Sequence, residues 1–365
     1  MKWKEVLEIK SGKNQKDVAD INGCYPIYGS GGIIGYSKEY LCPAGTTIIG
    51  RKGTINSPLY VNEPFWNVDT AFGLIPSQQL VSKYLYYFCC YFNFKALDKS
   101  TTIPSLAKRD LENVEMPVPP LDEQSRIVAR IEELFSELDK VVGILKTTKE
   151  QLEVYRQAVL KDAFSDFKKK DSIRNLTMVV TSGSRGWAKY YSNSGALFVR
   201  IGNLTHSGID IDFRDIQHIT PPDNAEGVRT RLQPNDVLVS ITADLGSIGF
   251  VSEKVEEAYI NQHIALVRFQ NPVQGRFMAW YLRSEYGQKD LLKNKRGGGK
   301  LGLGLDDIRD TPVPIVSDLV AQKTVDEIEE RLSVCDSIEK TVDATLAQAD
   351  AMRQSILKQA FEGKF

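Results

Sequence analysis

The chain carries a long internal repeat, which limits its architecture more than any other feature of its 365 residues. A shift of 197 positions aligns residues 131–164 with residues 328–361, and 13 of these 34 pairs are identical. Just upstream, "MPVPPL" at 116–121 matches "TPVPIV" at 311–316. The period is far too long for a solenoid of short repeats. The sequence therefore predicts two copies of one large module.

Each repeated segment has the pattern of one long helix with a heptad seam, because apolar residues recur at spacings of three and four. Neither helix can bury such a seam alone, so we expect an antiparallel coiled coil with two-fold pseudo-symmetry. Two unrelated amphipathic helices on separate cores are the alternative. The predicted core positions are Ile131, Leu138, Leu145, Leu152 and Val159, then Ile328, Cys335, Val342, Ala349 and Ile356. The same spacing adds Ile127, Leu134, Val141, Tyr155, Leu332, Ile338 and Met352.

The segments between the helices alternate short β-rich runs with turns, and each ends in an aromatic, amphipathic run. "TTIIGRKGTI" corresponds in order to "DVLVSITADLGSIGF", and "WNVDTAFGLI" to "YINQHIALVRF". We predict an α+β protein in which two mixed α/β domains, with low mutual identity, alternate with two helices. The expected division is a first domain at 1–119, a helix at 120–166, a second domain at 167–316 and a helix at 317–365.

Charge alternates along the chain although the total is only −1. Residues 1–120 have 13 basic and 11 acidic side chains, and residues 167–316 have 20 and 16. The helical segments are acidic, with 7 basic and 10 acidic side chains in 121–166, and 6 and 10 in 317–365. The two longer segments, at +2 and +4, are thus mildly basic, which hints at a polyanionic partner.

The N-terminal sequence "MKWKEVLEIK" lacks an apolar signal region, and no apolar run approaches membrane-spanning length. The five cysteines form no CxxC pair and have no histidine at metal-ligand spacing. We therefore expect a cytoplasmic protein with reduced thiols and without a bound metal.

Catalytic signatures are missing from the sequence. It contains neither an NPPY-type or DPPY-type methyltransferase motif nor a GxxxxGK[ST] phosphate loop. The three histidines, His206, His218 and His263, have no serine or carboxylate at a catalytic spacing. The glycines of "YGSGGIIGY" favour a tight turn between strands over nucleotide binding, because the GxGxxG spacing is absent. The sequence predicts no catalytic residue on this chain.

Two similarly built but divergent domains on two repeated helices indicate two readers of different sequences. The block "MPVPPLDEQSRIVARIEELFSELD", the ending "LKQAFEGKF" and the run from "DVLVS" to "AYINQHIALVRF" resemble the specificity subunits of type I restriction–modification systems. The resemblance covers essentially the whole chain. It implies a non-catalytic subunit whose two target recognition domains bind a bipartite site in double-stranded DNA, with the helices setting the gap.

The resemblance also implies the partners. Two modification subunits, which bind S-adenosylmethionine, would dock on the helices and methylate adenine, and restriction subunits would add ATP-driven translocation and cleavage. This chain would itself hold no cofactor.

DNA contacts call for Arg, Lys, Asn, Gln, Ser or Thr on loops. In the first domain we predict contacts by Lys13, Asn14, Gln15, Arg51, Lys52, Lys99, Ser100 and Thr101. In the second domain we predict contacts by Ser184, Arg185, Arg200, Asn203, Thr242, Lys295, Arg296 and Lys300. The last three belong to "NKRGGGK", where a flexible loop would let lysine and arginine approach phosphates, although a plain linker is equally compatible.

Two other functions remain compatible with the sequence. One is the recognition subunit of a related restriction–modification enzyme whose methylation and cleavage activities share one partner chain. The other is a structural coiled-coil adaptor whose globular ends bind proteins and which binds no DNA at low salt.

Overall fold

The computed structural model describes residues 1–223, 225–293, 295–296 and 301–365. It contains two compact units. The first unit comprises Met1–Thr147 and Val342–Phe365, and the second comprises Thr148–Thr341. Each unit therefore contains one mixed α/β domain and part of both long helices. The four-part division predicted from the sequence describes the order of segments along the chain. As a division into domains it remains a prediction.

The first unit starts with a short helix, continues through two small sheets and reaches the first long helix. Its elements are α1 (Trp3–Val6), β1 (Leu7–Ser11), β2 (Tyr25–Gly29), β3 (Gly32–Ser37), β4 (Thr46–Gly50), β5 (Leu59–Val61), β6 (Trp66–Asn67), β7 (Ala71–Pro76), α2 (Ser82–Tyr91), α3 (Lys108–Leu111) and α4 (Leu121–Phe164).

The larger sheet of the first unit has the strand order β1-β7-β4-β5, and all its neighbours are antiparallel. A second sheet has the order β3-β2-β6, in which β2 and β6 run parallel. Strand β4, "TTIIG", is buried throughout because both faces of the sheet are covered. Its Ile49 belongs to a core that also includes Trp3, Tyr84 and the C-terminal Phe361.

The second unit repeats this plan and ends in the second long helix. Its elements are β8 (Lys170–Ser172), α5 (Ile173–Leu176), β9 (Thr177–Ser182), β10 (Tyr191–Ser192), β11 (Ala196–Val199), β12 (Gln217–Ile219), α6 (Ala225–Thr230), β13 (Val237–Ser240), β14 (Ile248–Phe250), β15 (Ala258–Ile260), β16 (Ile264–Phe269), α7 (Gly275–Arg283), α8 (Glu285–Leu291), α9 (Leu305–Arg309), β17 (Pro312–Pro314) and α10 (Asp318–Phe361).

The larger sheets of the two units correspond strand by strand, and the smaller sheets share a parallel pair. The order β9-β16-β13-β14 repeats β1-β7-β4-β5, and the parallel pair β11–β15 repeats β2–β6. Helix α7 likewise occupies the place of α2 at the end of the domain. The α+β class and the correspondence between the two globular segments are therefore confirmed.

The long helices run antiparallel to each other in both units. In the first unit, Arg353 of α10 forms an ion pair with Asp139 of α4. In the second unit, Arg331 of α10 pairs with Asp162 of α4, with 3.1 Å between Nη1 and Oδ2. Each helix is 44 residues long. In the part of the chain that the structure describes, no helix is long and apolar enough to span a membrane.

The principal seam positions face inward, since all ten predicted core residues are buried or half-buried. Of the additional positions, Ile127, Leu134 and Leu332 are also buried or half-buried, and the other four are wrong. Val141, Tyr155, Ile338 and Met352 are all at least 41% exposed. The residues that follow them in sequence, Val142, Arg156, Glu339 and Arg353, face inward instead. Apolar spacing alone did not reveal this, because long arginine stems can pack against a helix while the charged group reaches a carboxylate.

Candidate nucleic-acid interface

Four loops meet at one edge of the larger sheet in the first unit, and we call residues 12–15, 50–53, 67–70 and 98–106 the first edge. Strands β1 and β4 end where the antiparallel β7 between them begins, so their loops are neighbours. Backbone hydrogen bonds join the loops from N to O. They link Lys13 to Asn67 (3.0 Å), Arg51 to Thr70 (2.8 Å) and Leu106 to Arg51 (2.9 Å).

The equivalent loops of the second unit form the same arrangement, and we call residues 183–185, 240–243, 260–263, 295–296 and 301–303 the second edge. The Ile241 amide donates to the His263 carbonyl (2.9 Å), and the Leu303 amide donates to the Ile241 carbonyl (2.9 Å). These bonds match the two that Arg51 makes in the first edge. The isolated bridge between Thr242 and Gly302 likewise matches the bridge between residues 52 and 105.

A glycine allows the loops to approach in each edge. A Cβ atom on Gly12 would lie 1.8 Å from the carbonyl oxygen of Val68, and one on Gly183 would lie 2.4 Å from that of Asn261. Both distances are far below van der Waals contact. The glycine that follows the serine at the end of β1 and of β9 is therefore needed for the close approach of the loops, and it does not indicate a flexible linker.

The first predicted group, Lys13 to Gln15, lies on the first edge directly after β1. Lys13 and Asn14 are exposed, and Gln15 is half-buried. The Asn14 side chain accepts a hydrogen bond from the Lys16 amide at 2.9 Å, which fixes a turn. The backbone carbonyl of Lys13 accepts a bond from the Trp66 indole at 3.0 Å, so the Lys13 side chain extends from an anchored backbone.

The turn after β4 places Arg51 and Lys52 beside this group. Lys52 is exposed, and Arg51 is half-buried. The guanidinium carbon of Arg51 lies 5.7 Å from the ring centroid of Phe72, and its Nη1 donates to the carbonyl of Asp69 at 3.3 Å. Lys52 therefore faces solvent as a charge of the first edge, whereas Arg51 partly braces the sheet.

The third group, Lys99 to Thr101, lies on the neighbouring loop and is exposed. Asp98 holds this loop because its Oδ1 accepts bonds from the backbone amides of Ser100 and Ser105, both at 3.0 Å. The Ser100 hydroxyl also donates to this oxygen, at 2.7 Å, and it lowers the pKa of Asp98 most, followed by the two amides. Lys99 Nζ lies 2.8 Å from Asp110 Oδ2, so its charge is partly balanced within the unit.

Three predicted residues of the second unit, Arg185, Thr242 and Arg296, line one cleft of about 670 Å³ on the second edge. His263 lines it too. Arg185 and Arg296 are exposed, and Thr242 is half-buried. The structure thus brings together residues that are more than one hundred positions apart.

The remaining predicted residues differ in their surroundings. Ser184 Oγ accepts a bond from Arg229 Nη2 at 2.9 Å, and Lys295 is exposed. Lys300 lies outside the described residues. The Arg200 side chain lines a separate cleft that Asn203 also borders.

Asn203 lies inside the fold rather than at the surface, because it is 3% exposed. Its Oδ1 accepts from the Arg200 amide at 2.8 Å, and its Nδ2 donates to the carbonyls of Asp212 (2.8 Å) and Asp215 (3.1 Å). All its bonds therefore serve the loop that carries Arg200. Asparagine in a loop looks identical in sequence whether its amide faces solvent or the backbone.

The sequence analysis missed how the domains attach to the long helices. Glu132 accepts from Lys83 Nζ at 2.5 Å and from the Tyr87 hydroxyl at 3.5 Å. Its repeat partner Glu329 accepts from Arg276 and from the Trp280 indole, the latter at 3.0 Å. Burial, with the adjoining Glu132 carboxylate, raises the pKa of Tyr87 to about 12. A cationic and an aromatic residue four positions apart on α2 and on α7 were the available signal.

The repeated phenylalanine at the end of each long helix completes this attachment. In the first unit, the ring of Phe361 lies 5.1 Å from that of Tyr84 and 5.3 Å from that of Phe88, between centroids. In the second unit, Phe164 lies 5.4 Å from both Phe277 and Tyr281. Each domain therefore packs against the start of one helix and the end of the other, which explains why the chain repeats its ending.

An arginine and an aspartate that are conserved in the repeat form the same ion pair twice, each time between the two long helices. Arg353 pairs with Asp139 in the first unit, and Arg156 pairs with Asp336 at 2.6 Å in the second. Near each pair is a surface cleft with the same three polar residues on the helix. They are Glu132, Ser136 and Asp139 in one unit, and Glu329, Ser333 and Asp336 in the other. We call these surfaces the two acidic clefts.

Comparison with known proteins agrees with this architecture. The family model described as "Type I restriction modification DNA specificity domain" matches residues 1–154. The EcoBI specificity subunit of Escherichia coli is 24% identical over 353 residues, which cover 87% of this chain and 73% of the relative. The EcoDI specificity subunit, also from Escherichia coli, is 20% identical over 392 residues, which cover 99% of this chain and 87% of the relative.

A solved structure described as "Structural basis underlying complex assembly and conformational transition of the type I R-M system" has the same fold. Its TM-score to this chain is 0.78 at 16% identity, with 100% of this chain and 97% of that chain covered. The family model matches the first 154 residues, and the curated relatives extend over nearly the whole sequence, so this chain is similar throughout to type I restriction–modification specificity subunits.

Proposed function

We propose that this chain is the sequence-specific, non-catalytic DNA-recognition subunit of a type I restriction–modification complex, in which each edge reads one half of a bipartite duplex site. The observation that carries this function is the pair of edges with the same backbone arrangement and different side chains. Lys52 of the first edge, for example, has Thr242 as its counterpart in the second. Two readers that differ in their donors and acceptors select two different half-sites.

Lysine and arginine at both edges support phosphate contact, and neighbouring polar side chains support base reading. Lys13, Lys52 and Lys99 are exposed cations of the first edge, and Asn14 is a candidate base reader beside them. Arg185, Lys295 and Arg296 are the exposed cations of the second edge. Individual contacts by the other predicted residues, with the exception of the buried Asn203, are part of this proposal.

The partners and cofactors of the complex follow from the same assignment. Two modification subunits bind S-adenosylmethionine and methylate adenine, and restriction subunits use ATP, so this chain holds no cofactor. The complex is cytoplasmic. We further propose that one modification subunit docks at each acidic cleft, because the same three polar residues of the repeat recur in both clefts.

Docking is tested by substitution of the exposed serine in each cleft. Ser136→Arg and Ser333→Arg each place a bulky cation at one surface. Native mass spectrometry of the co-purified complex is expected to show two methyltransferase chains with the parent protein, one with each variant and none with the double variant. Two methyltransferase chains on the double variant would assign docking to another surface.

DNA recognition is tested by co-expression with the neighbouring methyltransferase gene, followed by mapping of methylated adenines. Replacement of residues 1–119 by the corresponding domain of a relative is expected to change one half of the methylated site and leave the other half intact. Changes in both halves would mean that the two domains read DNA jointly. Absence of both methylation and DNA binding at low salt would instead favour the structural adaptor.

Lys52→Gln provides a test of the first edge with Lys4→Gln, another exposed lysine of the same unit, as its control. Removal of one phosphate contact should weaken binding to all sequences and reduce the slope of log K against log salt by about 0.9. The control should leave both quantities unchanged. Equal behaviour of the two variants would exclude Lys52 from the interface.

A further inference from the structure

The second edge contains a chain of hydrogen bonds that fixes the direction of one hydroxyl group. Gln262 Nε2 lies 2.9 Å from His263 Nε2, and His263 Nδ1 lies 2.5 Å from Thr242 Oγ1. An amide nitrogen can only donate, so His263 Nε2 accepts and its proton lies on Nδ1. His263 Nδ1 therefore donates to Thr242, and Thr242 Oγ1 accepts.

This arrangement leaves the Thr242 hydroxyl proton available. A hydroxyl has one proton to donate, and the Thr242 oxygen is already an acceptor for His263. Within the described part of the chain, no acceptor is bonded to this proton. Since Thr242 and His263 both line the cleft of the second edge, the Thr242 hydroxyl is set to donate into that cleft.

The backbone holds His263 in place for this role. Its amide donates to Asn261 Oδ1 at 3.0 Å, and its carbonyl accepts from the Ile241 amide at 2.9 Å. The imidazole therefore extends from a position anchored on both sides, next to the residue that it orients. His263 acts through Thr242 and is a positioning residue.

The charges around the cleft indicate what its occupant carries. Arg185 and Arg296 line it, and no side chain in the described residues pairs with Arg185. The two aspartates of the lining are already bonded. Asp307 accepts from Arg296 at 2.6 Å, and Asp306 accepts from Arg309 at 3.0 Å. The guanidinium of Arg185 beside an outward hydroxyl donor suits an oxyanion.

We propose that this cleft seats one phosphate of the target duplex, with Thr242 as its hydrogen-bond donor and His263 as the residue that directs the donation. The inference rests on the proposed DNA-recognition function. A phosphate can accept from the Arg185 guanidinium and from the Thr242 hydroxyl together, and most hydrogen bonds between proteins and DNA go to phosphate and sugar oxygens. The site then positions the second domain on DNA and does not itself select a sequence.

The test uses the full chain in complex with its methyltransferase and measures binding to target duplexes. Thr242→Val removes the hydroxyl at nearly constant volume and is expected to weaken binding at least roughly tenfold, the effect of one hydrogen bond to a charged acceptor. Thr242→Ser should retain binding. Thr220→Val, an exposed threonine of the same unit outside this cleft, is the control and should bind as the parent does.

Methylphosphonate substitution, one phosphate at a time in the second half-site, locates the contact. One position should weaken the parent complex and have no further effect on Thr242→Val. His263→Phe should show the same insensitivity, whereas His263→Asn, whose Nδ2 can replace Nδ1 as donor to Thr242, should recover the parent response. A purely structural role of His263 would not produce this recovery.

Three results would overturn the inference. The first is an affinity of Thr242→Val within twofold of the parent's, and the second is an equal methylphosphonate response in the parent and the variant. The third is a changed methylated motif, which would indicate a base contact instead. The salt slope separates the residues further, because Arg185→Gln should lower it by about 0.9 and Thr242→Val should leave it unchanged. Failure of the parent complex to bind DNA would refute the proposed function itself.

Discussion

Removal of one repeated phenylalanine should destabilise one unit and spare the other. Phe361 is 9% exposed and contacts Tyr84 and Phe88 of the first unit, whereas Phe164 is 2% exposed and contacts Phe277 of the second. Truncation of a buried phenylalanine to alanine costs about 3–5 kcal/mol. We expect about 3 kcal/mol for Phe361→Ala, which keeps some exposure, and about 4 kcal/mol for Phe164→Ala.

Hydrogen exchange followed by mass spectrometry can assign each loss to a unit. Since about 1.4 kcal/mol is a factor of ten, Phe361→Ala should lower the protection of α2 by roughly 10²-fold. Protection of α7 should stay at the parent level. Phe164→Ala should produce the reverse pattern, with the larger loss in α7. Tyr155→Ala is the control, because Tyr155 is 49% exposed on the same long helix as Phe164.

The decisive feature is that Phe361 follows the second domain in sequence but packs against the first. If Phe361→Ala weakened α7 and left α2 protected, the C-terminal segment would belong with the domain that precedes it. The units described above would then be incorrect, and each domain would stand on its own following helix.

Other expected outcomes are independent of the phenylalanines. Gly12→Ala should abolish binding to the first half-site and destabilise the protein, because its Cβ would lie 1.8 Å from a carbonyl oxygen. A Cβ on Gly143 meets no atom within 4 Å, so Gly143→Ala should stabilise its helix by about 0.5–1 kcal/mol. Calorimetry measures the stability of each variant, and a DNA-binding assay measures its affinity. Alkylation of the folded protein at pH 8 should label the exposed Cys24 first, because burial raises the pKa of Cys42 to about 12 and removes its reactive thiolate. Rapid labelling of Cys42 in a peptide map would contradict this burial.

The sequence was sufficient to predict the large-scale plan. Helix α4 occupies Leu121–Phe164, where apolar spacing predicted a helix over residues 120–166. Strands β4 and β13 correspond as predicted, because buried strands and their bounding turns leave local patterns. These signals depend only on residues that are close in sequence, so they can be recognised in one sequence by itself.

Long-range choices could not be predicted in this way. Arg156 faces the opposite helix because Asp336 is there, 2.6 Å away, and nothing within a turn of Arg156 indicates that partner. Likewise, the packing of Phe361 on the first domain depends on a segment more than 270 positions earlier. Asn203 is buried for a similar reason, because the carbonyls that it bonds belong to residues 212 and 215.

The construction of the two edges explains how their side chains can differ while their backbones agree. The loops are joined mainly by backbone hydrogen bonds, as between Arg51 and Thr70 in one edge and between Ile241 and His263 in the other. A backbone bond is indifferent to the side chain that accompanies it, except where close approach requires glycine, as at Gly12. Substitution of exposed edge residues should therefore change recognition at little cost in stability. Low identity between two domains of the same plan is the expected consequence of such a design.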